Sequence, residues 1–140
     1  MKKLLAVVSV LLCMGCTSSK DIATGTAQSE PDEEGNYTVV TVEYSKSKDK
    51  VVDVNIDEYK NGVSKKSMGD DYGLKAVSGV GREWDEQIHY LETFIKDYSI
   101  ADLQMNEYGV LENPDVISGC SIYVGHMIPL VEAAIADAKG

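Results

Sequence analysis

Asp115-Val-Ile-Ser-Gly-Cys-Ser-Ile-Tyr-Val-Gly-His-Met127 follows a chain break at Pro114 and reads as a sharp turn that opens a final helix. Gly119 supplies a permissive backbone, and Ser118 or Ser121 is placed to cap the helix start. From Ile122 onward the apolar residues recur at helical spacing: Met127, Leu130, Val131, Ala134, Ile135 and Ala138. The first free N–H groups of such a helix carry the positive end of its dipole, so a phosphate on Ser121 is a natural guest there. The plainer alternative is a turn plus an N-cap with no ligand.

Working outward, Trp84 to Tyr98 predicts an amphipathic helix, with Trp84, Ile88, Leu91, Ile95 and Tyr98 on one stripe. Asp85, Glu86, Glu92 and Lys96 fall on the remaining faces; His89 and Glu92, one turn apart, are either paired or simply solvated. Ser99 to Leu103 predicts a short second helix capped by Ser99, with Asp102 at the capping-box position. Met105 to Glu112 is ambiguous, with Tyr108-Gly-Val-Leu111 a candidate third strand. Further upstream, Tyr37 to Tyr44 alternates Val40, Val42 and Tyr44 against Val39, Thr41 and Glu43. Val51 to Tyr59 alternates Val52, Val54 and Ile56 against Asp53, Asn55 and Asp57. Two such strands joined by the polar Ser45–Lys50 segment predict an antiparallel hairpin with one buried face. Lys60 to Gly81 is polar and glycine-rich and reads as a loop with room for a short helix in its first part; Lys65 and Lys66 face either a phosphate or solvent, with solvent the default. The order of elements predicts an α+β fold: an antiparallel sheet opened by an N-terminal hairpin, with helices packed on it.

The start of the chain carries a different message. Lys2 and Lys3 precede an apolar run, Leu4 to Leu12, too short to span a bilayer as a permanent helix. Cys13-Met-Gly-Cys16 follows and resembles a bacterial lipobox, with small Gly15 just before Cys16. Residues 1–15 are therefore expected to be a lipoprotein signal peptide, with Cys16 the lipidated first residue. Residues 16–34 are expected to be the lipid anchor and a flexible acidic tether with no packed element, and 35–140 the folded domain. The expected location is the extracytoplasmic face of the cell membrane.

The full chain has a net charge of −10, and removing Lys2 and Lys3 takes the mature chain to −12. Nucleic acid is therefore not an expected partner. Once Cys16 is acylated, Cys120 is left without a cysteine partner and is expected to be a small buried residue. His89 and His126 are the two histidines, and no Cys/His spacing of a zinc site occurs. No nucleophile elbow or Ser-His-Asp order points to a hydrolase.

The turn Asp115-Val-Ile-Ser118-Gly119-Cys120-Ser121 resembles the Asp-x-x-Ser/Thr-Gly-Ala-Thr/Ser signature of the FMN-binding domain family. Cys120 stands where Ala is usual, and Ser121 where Thr is commoner. The hairpin sequences Gly35-Asn-Tyr-Thr-Val-Val-Thr-Val42 and Lys50-Val-Val-Asp-Val-Asn-Ile-Asp-Glu-Tyr59 are similar to the first hairpin of that family. The resemblance implies FMN held covalently through its phosphate on Ser121, with Ser118 and Gly119 orienting the phosphate and Asp115 fixing the turn. It also implies a flavin transferase and redox proteins as partners, and an electron carrier rather than an enzyme. The alternative is a flavin-free lipoprotein that keeps the fold as a binding or interaction module.

Overall fold

The computed structural model describes residues 20–140. The signal segment and the lipidation site at Cys16 lie outside the described residues. Four strands form one antiparallel sheet in the order β1-β2-β3-β4: Ile22–Gln28, Tyr37–Ser45, Lys50–Lys60 and Val63–Ser64. Four helices accompany them: α1 Lys65–Met68, α2 Trp84–Asp97, α3 Pro114–Ile117 and α4 Ile128–Lys139. The fold is α+β, with α4 packed across β1 and β2 and α2 packed on β3.

The predicted hairpin is β2–β3, with Val40 opposite Ile56 and Val42 opposite Val54, all buried. Near its turn the register shifts: Glu43 opposes Asp53, but Tyr44 opposes Val51. Val52 is thus the extra residue of a bulge, which reverses the facing beyond it. Val51 is buried there and Val52 only half-buried, whereas strict alternation from the sequence put Val52 on the inner face.

β1 corrects the expected organisation. Residues 17–34 were expected to hold no packed element, yet Ile22–Gln28 pairs along β2 from Ile22↔Ser45 to Gln28↔Val39. The folded unit therefore begins before residue 35. Beyond Ile22 the strand lacks bulky apolar residues, because α4 lies too close for them at Gly25. A Cβ on Gly25 would sit 2.0 Å from the Ala134 carbonyl oxygen and 2.5 Å from the Ala138 nitrogen. Main-chain pairing and this close approach replace the side-chain burial that usually marks a strand. The acidic run that follows is a hairpin turn, in which the Asp32 carboxylate accepts from the Glu34 and Asn36 N–H groups.

Helix α2 opens with a capping box: the Glu83 N–H donates to Glu86 Oε2 at 2.8 Å, and the Glu83 side chain accepts in return from the Glu86 backbone. Trp84, Ile88, Leu91 and Ile95 form its buried stripe, while Tyr98 falls beyond the last turn and is 55% exposed. Leu91 is fully buried, so Leu91→Ala is expected to cost roughly 2–5 kcal/mol, read as a lower chemical-denaturation midpoint. An unchanged midpoint would assign α2 the wrong buried face. Ser99 to Leu103 forms a 3-10 turn over Ile100–Asp102, and the Ser99 hydroxyl donates to Asp102 Oδ2 at 2.8 Å. The candidate third strand is reduced to isolated bridges, Met105↔Leu111 and Val110↔Tyr123.

The last helix starts later than the apolar spacing predicts. α4 begins at Ile128, with Pro129 in its first turn, where proline's missing N–H costs nothing. Before it, the Val124 and Gly125 N–H groups donate to the Gly109 carbonyl. Gly109 has φ +72°, and a Cβ there would meet the Tyr123 ring at 2.4 Å. Residues 122–125 are thus clasped against the 105–111 loop instead of coiling into α4.

Candidate functional site

Ser121 stands seven residues before α4, so it does not sit on the free N–H groups of that helix. This corrects the expected dipole-assisted phosphate site. Its surroundings are built by α2 instead. Gln87 is a fully buried polar residue on the apolar side of that helix, one turn after Trp84. Its Oε1 accepts from the Ser121 N–H at 2.9 Å and lies 3.4 Å from the Ser121 hydroxyl oxygen. Its Nε2 donates to Ser78 Oγ at 3.0 Å and to the Arg82 carbonyl at 3.1 Å. One buried amide thereby ties the signature turn to the loop that precedes α2.

Gly119 lies under the Tyr90 ring, and a Cβ there would come within 2.2 Å of two ring carbons. The need for glycine is one of space rather than of backbone freedom. Cys120 is fully buried beside it, and burial pushes its thiol up to about 11, so it is an inert core residue at neutral pH. Asp115 lies in the first turn of the four-residue α3, and Ser118 is that helix's C-cap; both are exposed. The structure therefore brings Gly119 and Ser121 against α2 and leaves Asp115 and Ser118 on the solvent side.

Tyr90 also lines a surface groove of about 710 Å³, together with Lys66, Arg82, Asp85, Glu86, His89, Glu92 and Thr93. The Arg82 guanidinium lies over the Tyr90 ring, 4.7 Å from its centre. The signature turn meets this helix beside the groove, through Ser121 on Gln87 and Gly119 on Tyr90. The volume is within the range of cofactor clefts, and Asp85, Glu86 and Glu92 balance the charge of Lys66 and Arg82 along it.

Lys66 does not project free into solvent. Its ammonium pairs with Glu92, which is buried on the face expected to be solvated, and reaches Asn55 Oδ1 at 2.6 Å. His89 is exposed and is not Glu92's partner. Glu92 is buried because Oε1 also accepts the Ile56 N–H at 2.7 Å. β4 pairs only with Tyr59 and Lys60, so that part of β3 has no neighbouring strand, and the carboxylate takes its place.

The other end of the signature stretch meets the sheet. His126 stacks on Tyr123, with ring centres 4.9 Å apart, and its Nε2 meets Glu58. Lys65 pairs with the same carboxylate and lies over the Trp84 ring at 5.3 Å. Burial raises the Glu58 carboxyl, but hydrogen bonds from His126 and Lys65 outweigh it and hold the group below its ordinary range. Glu58, Lys65 and His126, with Tyr37, Tyr59 and Tyr72, line a polar cleft of about 360 Å³.

Sequence reasoning missed Gln87, Arg82 and Tyr90. Gln87 did leave a signal, since a polar residue on the buried side of an amphipathic helix needs a partner. Lys65 and Lys66 left another: two adjacent cations in so acidic a chain have found Glu58 and Glu92.

Among the described residues, no group of three or more His, Cys, Asp or Glu is placed to hold a metal. Nor is any helix there long and apolar enough to cross a membrane. No known protein-family profile matches the chain, and no solved structure matches it. A stretch of 44 residues, 31% of this chain, is 41% identical to a chlorophenol reductase of Desulfitobacterium hafniense and covers 14% of that protein.

Proposed function

We propose that this is a membrane-tethered, extracytoplasmic lipoprotein that carries FMN on Ser121 and passes electrons between redox proteins. The observation that carries this reading is the exposed Ser121 hydroxyl, set by Gln87 beside the Arg82–Tyr90 groove. The resemblance of Asp115–Ser121 to the FMN-binding signature supports it, and so does the partial similarity to a protein named as a reductase. When bound, the isoalloxazine supplies the redox chemistry. The chain's own residues hold it: Tyr90 offers a flat wall, Arg82 offers positive charge, and Gln87 fixes the Ser121 backbone. Covalent attachment suits an exported carrier, because a released flavin would be lost.

Co-expression with a flavin transferase is expected to add one FMN, less water, to the intact mass. Ser121→Ala should abolish that addition with the fold retained, and Ser121→Thr should keep it. A modified 115–127 peptide that survives Ser121→Ala would move the attachment elsewhere.

One observation favours a second reading, a flavin-free interaction module. The Ser121 N–H is already engaged by Gln87, and α4 begins too late to offer its own N–H groups to a phosphate. No added mass with any transferase, and a colourless protein from its native host, would establish that reading.

A further inference from the structure

The charge of the described domain is segregated along its sheet. Of the 13 Lys and Arg residues, Lys2 and Lys3 precede the described region; of the remaining eleven, five gather at one end. Lys46, Lys48 and Lys50 occupy the β2–β3 turn, Lys20 enters beside it, and Lys139 closes α4 against it. All five are exposed. The end is well built. Asp21 accepts from Ser45 Oγ at 2.7 Å and from the Ser47 N–H at 2.7 Å, and the Lys46 N–H donates to the Asp21 carbonyl. Lys139 lies over the Tyr44 ring at 4.9 Å and 3.8 Å from Asp49. Asp21 and Asp49 are the carboxylates of this turn, and Glu43 and Asp53 lie one step further along the strands. The opposite end carries Glu30, Asp32, Glu33 and Glu34 in the β1–β2 turn and Asp70 and Asp71 beyond α1, with Lys60 and the Glu58-paired Lys65 as the cations beside them.

We infer that the lysine end is a docking face for an anionic bilayer surface, and that the domain stands on the membrane with this end down. The inference rests on the proposed lipid anchor at Cys16. Only Thr17 to Asp21 separate Cys16 from the first residue of β1, and five extended residues span at most roughly 18 Å. The anchor therefore holds the lysine end within about two Debye lengths of the headgroups at physiological salt. There, basic side chains are attracted to anionic lipid. The acidic β1–β2 turn lies at the far end of β1, so its repulsion from the bilayer turns the domain upright instead of lifting it off. Ser121 and the groove on α2 are then presented to partners beside the sheet, away from the lipid.

The chain from Thr17 onward keeps every described residue and carries no lipid. At low ionic strength it is expected to sediment with vesicles of mixed phosphatidylglycerol and phosphatidylcholine, but not with pure phosphatidylcholine vesicles. Added salt should release it. Lys46→Glu/Lys48→Glu/Lys50→Glu should weaken the binding about tenfold or more, while Lys75→Glu, outside this turn, should leave it unchanged. Near-ultraviolet circular dichroism checks that the triple variant remains folded. No sedimentation with the anionic vesicles, or equal sedimentation of the triple variant, overturns the inference. Binding to soluble polyglutamate as tight as to vesicles also overturns it, in favour of an acidic protein partner. Fractionation of cells carrying Cys16→Ala tests the anchor separately. Unchanged processing and membrane attachment there would remove the anchor and leave the vesicle assay to decide the face.

Discussion

Gly25→Ala is expected to be among the most damaging single-methyl additions in the protein. The new Cβ would lie 2.0 Å from the Ala134 carbonyl oxygen and 2.5 Å from the Ala138 nitrogen, both backbone atoms of α4. A side chain could rotate away from such a clash, but a helix backbone cannot. Either α4 shifts off the sheet or β1 leaves the ladder. Overpacking of this kind costs 1–3 kcal/mol in ordinary cores, so a clash with two backbone atoms should reach roughly 3 kcal/mol or more. For a domain of this size that lowers Tm by roughly 10 °C. A thermal scan followed by circular dichroism measures it. A Tm equal to that of the parent would mean that α4 does not press on β1.

Glu92→Ala should be comparably severe for a different reason. Its carboxylate is 8% exposed, pairs with Lys66 and accepts the Ile56 N–H. Truncation strands a half-buried ammonium and a buried backbone donor together. Breaking a buried pair by removing one partner costs about 3–5 kcal/mol. Glu92→Gln keeps an acceptor for Ile56 but removes the charge, so it should fall between the parent and Glu92→Ala. Lys66→Met in the Glu92→Ala background should recover part of the loss, because no unpaired charge remains. Urea denaturation of the four proteins gives the comparison. Equal midpoints for Glu92→Gln and Glu92→Ala would show that the Ile56 hydrogen bond contributes nothing.

The hairpin, α2 and the α+β class were legible because each rests on bulky apolar residues at a regular period. Val40, Val42, Val54 and Ile56 alternate, while Ile88, Leu91 and Ile95 recur each turn, and burial follows the pattern. β1 was illegible for the converse reason. Within Ile22–Gln28, Ala23-Thr-Gly-Thr-Ala27 are small because a helix backbone lies on them, and small residues carry no period. The start of α4 was misread because Ile122 and Met127 satisfy a helical spacing while Gly109 holds the segment between them. Pro129 was the better marker of the first turn. At the candidate site, the turn itself could be read, but its support could not. Gln87 reaches Ser121 across 34 positions and Tyr90 meets Gly119 from a similar distance along the chain, with Arg82 held behind them. Such partners leave no local imprint on the motif.

The contact of α4 with β1 also bears on when the chain can fold. The Thr26 N–H donates to Asp137 Oδ2 at 2.9 Å across 111 residues, and Gly25 meets Ala134 and Ala138 over a similar span. These contacts join β1 to a segment synthesised more than a hundred residues later. Until α4 has been synthesised, β1 and β2 lack the surface that covers them, and closing so long a loop is slow. A nascent chain would therefore leave β1 and β2 uncovered until α4 has emerged. The core closes only once α4 is present to cover β1 and β2.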